Sequence, residues 1–217
     1  MEVLIPILVL LGTLIIEAVC NWLHNDEVFP NGLAIPADLK IPESISNETQ
    51  LREPDLVFVE RSCEVLHSQL GKDPVSRIMA EQDAEARIRL IVSLYEKVTR
   101  LYGIPKPELK LTAEKSCVMG GYCAARHTLE LNVAYLLVND AGAVREFLDT
   151  IFHELRHAVQ HYMVSTPGFW EGDPELRGRI AYNLQHYIRP EMDPEGYSNQ
   201  LIERDARNFA AAVMSGV

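Results

Sequence analysis

Apolar residues recur every three or four positions over much of the second half of the chain, which is the spacing of a helix with one buried face. The first such set comprises Ile88, Ile91, Tyr95, Val98 and Tyr102. Gly103 and Pro105 follow it and predict the end of that helix. Further helices are predicted at about 142–164, 175–188 and 198–214.

Two shorter segments, 108–112 and 128–133, have the composition and patterning of strands, and Gly120-Gly121 lies in the predicted connection between them. In the second segment alternate residues would form an apolar face and a polar face. The apolar face comprises Leu129, Leu131 and Val133, and the polar face comprises Thr128, Glu130 and a solvent-facing Asn132. A helix, then strands, then several helices indicate an α+β fold.

The first 77 residues follow no sustained period. Residues 3–16 carry no charge. When the apolar segment is extended to residue 23, its length is close to the roughly 20 residues needed to cross a bilayer. We therefore treat 1–23 as a candidate membrane anchor, with a buried helix or a wrongly chosen start codon as the alternatives. Residues 24–77 are rich in proline and polar residues and predict a linker with one short helix near 57–70. The organised domain is predicted to be 78–217. The protein would be membrane-associated if the anchor is real and cytoplasmic otherwise.

The charge balance argues against nucleic acid as a partner. The chain has 31 acidic and 20 basic residues, a formal net charge of -11, so its surface should repel phosphate backbones. Its four cysteines are too few and too scattered to indicate a disulfide framework. Cys117 and Cys123 are expected to be ordinary free thiols.

The most informative string is His153-Glu154-Leu155-Arg156-His157, an H-E-x-x-H sequence inside the helix predicted at 142–164. In a chain of this composition, chance would produce such a string roughly 0.02 times. Two imidazoles four residues apart lie on one face of a helix and can bind one metal ion. The spacing therefore predicts a metal site at His153 and His157.

The rest of the helix supports this interpretation. Its apolar stripe comprises Val144, Leu148, Ile151, Leu155 and Tyr162. His153 and His157 lie on roughly the opposite side, so packing does not account for them. Glu154 follows the first histidine, where it can take a proton from a zinc-bound water and deliver it to a leaving group. Zinc lowers the pKa of that water to about 7.

A catalytic zinc usually has three protein ligands and one open position. His161 would lie about 12 Å further along a straight helix than His153, too far to share the ion. The metzincin continuation H-E-x-x-H-x-x-G-x-x-H is absent. The last predicted helix offers Glu203 and Asp205, which flank its apolar stripe on opposite sides, and periodicity alone does not choose between them.

The H-E-x-x-H string together with the later Glu203-x-Asp205-Ala206 and Phe209-Ala210 resembles the gluzincin peptidases, in particular the ImmA/IrrE-type metallopeptidases. This resemblance covers roughly 88–214. It implies a zincin-like fold with one zinc ion per chain, and Glu203 as the third ligand. The sequence departs from related gluzincins at Arg207, where a partner for a histidine ligand is often found.

The resemblance also implies a small sheet packed on the active-site helix, with an edge strand that pairs with an extended substrate. Residues 128–133 are the candidate for that strand. A group that stabilises the tetrahedral oxyanion is needed as well. Tyr197 is the preferred candidate, and the others are Tyr162, Arg156 and His186.

The sequence thus predicts a zinc-dependent peptidase that hydrolyses a peptide or protein substrate, with Glu154 as catalytic base. The resemblance adds a regulatory protein as the substrate. Two alternatives stay open: a zinc-stabilised binding or regulatory module without turnover, and a secreted or membrane-tethered hydrolase or toxin. The oligomeric state is not predicted.

Overall fold

The computed structural model describes residues 36–114, 118–169 and 173–216, and over these residues the fold is α+β. The candidate anchor at 1–23 lies outside the described residues. None of the helices within the described ranges is long and apolar enough to span a membrane.

The helices of the described ranges are α1 (Glu53–Leu70), α2 (Pro74–Ala80), α3 (Ala84–Val98), α4 (Ala134–Leu137), α5 (Ala141–Ser165), α6 (Pro174–Gln185), α7 (Pro194–Asn199) and α8 (Leu201–Ser215). Many begin directly after an aspartate whose carboxylate accepts a hydrogen bond from a backbone N–H of the first turn, which satisfies a group that the helix itself leaves unpaired. These capping residues are Asp73, Asp83, Asp140, Asp173 and Asp193. The helix predicted at 142–164 is thereby confirmed as α5.

Within the described residues, the sheet comprises β1 (Glu108–Thr112), β2 (Gly120–Cys123) and β3 (Thr128–Asn132), in the order β1-β3-β2. β1 pairs with β3 in parallel and β2 pairs with β3 in antiparallel fashion. β3 is therefore central, and the prediction that 128–133 forms the edge strand is wrong. Gly120-Gly121, predicted to lie in a connection, belongs to the edge strand β2.

Gly120 allows β2 to pack closely on α5. A Cβ atom at this position would lie 2.8 Å from Cγ2 of Thr150 and 2.9 Å from the carbonyl oxygen of Glu130. Real Cβ atoms essentially never come so close to other heavy atoms. Glycine at this position thus brings the strand against the helix that carries the H-E-x-x-H string.

β3 does not have the single buried face that its alternation predicted. Leu129 and Leu131 are fully buried, but Thr128 and Asn132 on the other face are buried as well. The Asn132 amide accepts a hydrogen bond from the Glu114 N–H and donates to the Glu114 carbonyl, at 3.2 and 3.0 Å. Asn132 thus organises the loop after β1 instead of facing solvent.

The core lies around α5, which packs extensively against α8. The described part of the predicted linker contributes to this core, because Leu66 and Leu70 of α1 are buried in it. Leu39, Ile41 and Ile45 pack against a second apolar cluster beneath α6. Much of 36–77 is therefore part of the folded domain and not a linker, and α1 is longer than the short helix predicted near 57–70.

Cys123 carries a free thiol, as predicted, and it is buried at the end of β2. Cys63, on α1, is also a free thiol. Cys117 lies outside the described residues.

Candidate metal centre

His153 and His157 on α5 face Glu203 on α8, and one potential ligand atom from each lies within 4.8 Å of the others. The Nε2 atoms of the two imidazoles are 3.0 Å apart. Glu203 Oε2 lies 3.3 Å from His153 Nε2, and Oε1 lies 3.5 Å from His157 Nε2. We call these three residues the ligand cluster, and its geometry could hold a metal ion.

The sequence of α8 explains why Glu203 reaches the histidines. Ile202, Ala206, Phe209 and Val213 are all buried, and their spacing places them on one face of α8 against the core. Glu203 is next to this stripe and is only 2% exposed. A carboxylate is rarely buried so completely unless a cation or several donors compensate it.

Asp205, the other candidate third ligand, is not part of the ligand cluster. Both of its oxygens accept hydrogen bonds from the Arg156 guanidinium, at 2.7 and 3.0 Å. Arg156 also lies 2.8 Å from Asp55 of α1. We call Asp55, Arg156 and Asp205 the ion network. The geometry therefore selects Glu203 over Asp205 as the third member of the ligand cluster.

The electrostatics of the ligand cluster favour a bound cation. Burial opposes ionisation of Glu203, but the two imidazoles outweigh it and hold the pKa of its carboxyl well below the ordinary value. Burial would lower the pKa of His157, yet the Glu203 carboxylate raises the pKa to about 9. Among the described residues, no hydrogen bond satisfies Glu203 Oε2, which is fully buried. The donor set of two imidazole nitrogens and one carboxylate fits a cation at this position.

A pocket opens beside the ligand cluster, and Glu154 lines it together with His157 and Glu203. Gly120, Gly121 and Tyr122 of β2 form one wall. The opposite wall comes from the segment that follows α6 and from α7, with Tyr187, Arg189, Pro190, Glu191 and Tyr197. The predicted base therefore lies in the same cavity as two of the three predicted metal ligands.

Two tyrosines lie beside the carboxylate of Glu203. The Tyr187 hydroxyl donates a hydrogen bond to Glu203 Oε1 at 3.2 Å. Tyr197 packs edge-on against Tyr187, with ring centroids 6.2 Å apart, and lines the same pocket. Burial and the nearby Glu203 carboxylate raise the pKa of both phenols, so both stay protonated. Sequence reasoning pointed to Tyr197 but missed Tyr187, which was placed inside a predicted helix and carries no motif.

The other candidates for oxyanion stabilisation lie away from the pocket. Arg156 is 1% exposed and is held by the ion network. Tyr162 stacks edge-on against Phe169, and His186 stacks on Tyr182 after α6. None of these three side chains lines the pocket that the described residues form beside the ligand cluster.

His161 is not part of the ligand cluster, in agreement with its expected distance along α5. It lines the pocket beside the Tyr122 ring, with ring centroids 5.6 Å apart. Burial, with the charges of His157 and His127, lowers the pKa of His161 to about 3. His161 is therefore an uncharged residue of the pocket lining.

No protein-family model, curated protein or solved structure matches this chain.

Proposed function

We propose that the protein is a zinc-dependent peptidase of the gluzincin type, with a zincin-like fold, in which His153, His157 and Glu203 hold the metal. The observation that carries this proposal is the position of Glu154, which lies in the pocket beside the ligand cluster. A site that only stabilised the fold would have no use for a carboxylate at that position. The resemblance of the H-E-x-x-H and Glu203-x-Asp205-Ala206 strings to ImmA/IrrE-type metallopeptidases supports the same assignment.

Zinc suits this donor set, because two imidazoles and one carboxylate are a common set of catalytic zinc ligands. Bound there, the ion would supply a Lewis acid that acidifies water and polarises a peptide carbonyl. Glu154 would hold the proton released from the attacking water at its carboxylate and pass it to the amine leaving group.

The remaining residues of the pocket would position the substrate and stabilise charge. Tyr197 and Tyr187 are protonated hydroxyl donors close to Glu203, and we assign oxyanion stabilisation to Tyr197 with Tyr187 as its neighbour. We assign to the edge strand β2 the pairing with substrate that was predicted for 128–133. Its outer edge can pair with an extended peptide through main-chain hydrogen bonds.

The test combines zinc affinity with cleavage of a library of unstructured peptides by the full-length chain. Wild type should bind one zinc ion. His157→Ala and Glu203→Ala should lose it, whereas His186→Ala, a matched histidine outside the pocket, should keep it. Glu154→Gln should keep the zinc but hydrolyse about 10²–10⁴-fold more slowly, because it removes the general base.

The outcomes separate the competing functions. Wild type that binds no zinc would overturn the proposal. Zinc bound by wild type, with no hydrolysis of any peptide or of a candidate regulatory protein, would favour the non-catalytic binding module.

A further inference from the structure

Gln160 is a fully buried polar residue on α5, three positions after His157. Its Nε2 donates to the Ile202 carbonyl at 3.0 Å and to Asp205 Oδ2 at 2.7 Å. Its Oε1 lies 2.8 Å from Nδ1 of His157. One amide therefore connects a member of the ligand cluster to two acceptors on α8.

The two acceptors on α8 fix the orientation of this amide. A carbonyl and an ionised carboxylate only accept hydrogen bonds, so the NH₂ group of Gln160 must face them. The amide oxygen then faces His157, and Nδ1 of His157 must carry the proton in that hydrogen bond. In the neutral imidazole the lone pair is therefore on Nε2, the atom that faces His153 and Glu203.

Asp205 is itself held in place, because Arg156 binds both of its oxygens. Arg156 is anchored in turn by Asp55 on α1. The contacts thus run from α1 through the ion network and Gln160 to the imidazole of His157. Arg207, at the position where related gluzincins often place a partner for a histidine, donates instead to the Ser198 carbonyl.

We propose that Gln160 is the positioning residue of the metal centre, which holds the His157 ring with Nε2 directed at the metal, and that Asp205 fixes the orientation of Gln160. This inference rests on the proposed zinc site. Partners of this kind typically change metal affinity about 10–100-fold when they are removed.

A residue that merely tied α5 to α8 would make the same bonds to Ile202 and Asp205, so the test needs a readout at the imidazole itself. Two measurements on the full-length protein give this readout. One is zinc affinity, and the other is the exchange of the His157 Nδ1 proton with water, followed by NMR in the zinc-free and zinc-loaded states. Gln160→Met removes the acceptor at nearly constant shape. It should weaken zinc binding about 10–100-fold and expose the Nδ1 proton to exchange.

Two further variants complete the design. Gln160→Glu keeps an oxygen facing Nδ1 and, with its other oxygen protonated, still donates to Asp205 Oδ2, so it should keep the protected proton and bind zinc within about tenfold of wild type. Asn183 is a matched control, since its buried amide accepts from the Ile202 N–H at 2.9 Å and, among the described residues, forms no hydrogen bond with the ligand cluster. Asn183→Leu should lower stability and leave zinc affinity and the Nδ1 proton unchanged.

Wild-type zinc affinity and a protected Nδ1 proton in Gln160→Met would overturn the positioning role. An equal loss of affinity in Asn183→Leu would overturn it too, because general destabilisation would then account for both. If wild type binds no zinc, the inference falls with the metal site. If zinc binding follows the expected pattern but no peptide is cleaved, the proposed peptidase function fails and the positioning role stands.

Discussion

The ion network and the ligand cluster both connect α5 to α8, and both contain a buried carboxylate of α8, yet they differ in how their charges are balanced. In the ion network, Arg156 lies within 3.0 Å of both carboxylates, so each carboxylate has a cationic partner. In the ligand cluster, by contrast, two imidazole nitrogens face each other at 3.0 Å with a single carboxylate beside them.

This difference shows how a structural set of polar residues is distinguished from a binding site. The ion network has a permanent cation, because a guanidinium does not lose its proton in proteins. None of the three members of the ligand cluster is a permanent cation, and protons on its histidines can balance Glu203. A metal ion can replace those protons, because its ligands must be deprotonated to bind it.

The largest expected effect comes from removing the permanent cation. Arg156→Met leaves the buried carboxylates of Asp55 and Asp205 without their guanidinium partner, and we expect it to lower the free energy of unfolding by about 3–5 kcal/mol. Urea denaturation of the zinc-free protein measures this change.

The matched variant in the ligand cluster is Glu203→Gln. It should lower the free energy of unfolding of the zinc-free protein clearly less than Arg156→Met does, because the imidazoles can release their protons and leave no buried charge. Equal losses in the two variants would remove the distinction between the two sets.

Zinc should provide the next largest effect, and only through the ligand cluster. At a free zinc concentration of 100 times the dissociation constant, the free energy of unfolding of wild type should rise by about 2.7 kcal/mol. Glu203→Gln should show little of this gain at the same zinc concentration. Thermal unfolding with and without a chelator measures it. A zinc-dependent gain that Glu203→Gln retains in full would place the ion elsewhere.

The smallest effect is expected at the outer end of the ion network. Arg52 contacts Asp55 at 3.1 Å and Asp173 at 2.9 Å, but its side chain is 24% exposed. Partly exposed ion pairs contribute little, so Arg52→Met should lower the free energy of unfolding by no more than about 1 kcal/mol. A loss as large as that of Arg156→Met would show that the network acts as one unit up to its solvent-exposed end.

The ligand cluster could be predicted because its information is local. The i, i+4 spacing of His153 and His157 on one helix fixes their relative position before any tertiary contact forms. The apolar stripe of α8 limited the candidates for the third ligand to Glu203 and Asp205, which flank it. Periodicity did not choose between them, whereas the resemblance implied Glu203; in the structure Arg156 binds both oxygens of Asp205, and Glu203 lies beside the histidines.

The parts that could not be predicted depend on tertiary contacts. The helix near 57–70 was predicted, but its place in the core was not, because Leu56 and Val57 are exposed while Leu66 and Leu70 are buried. Strand β2 is four residues long and begins with two glycines, so it resembles a turn in sequence. The central place of β3 follows from the parallel pairing with β1, which no local pattern encodes.

The contact between Asp55 and Arg156 joins residues about a hundred positions apart, and Arg156 meets Asp205 49 positions further on. A chain synthesised from its amino end therefore carries the H-E-x-x-H helix well before α8 exists to complete the cluster. During that interval Glu154 is present without the third ligand. Holding a cation with all three groups therefore requires α8 to have docked on α5, so metal affinity would report that docking directly.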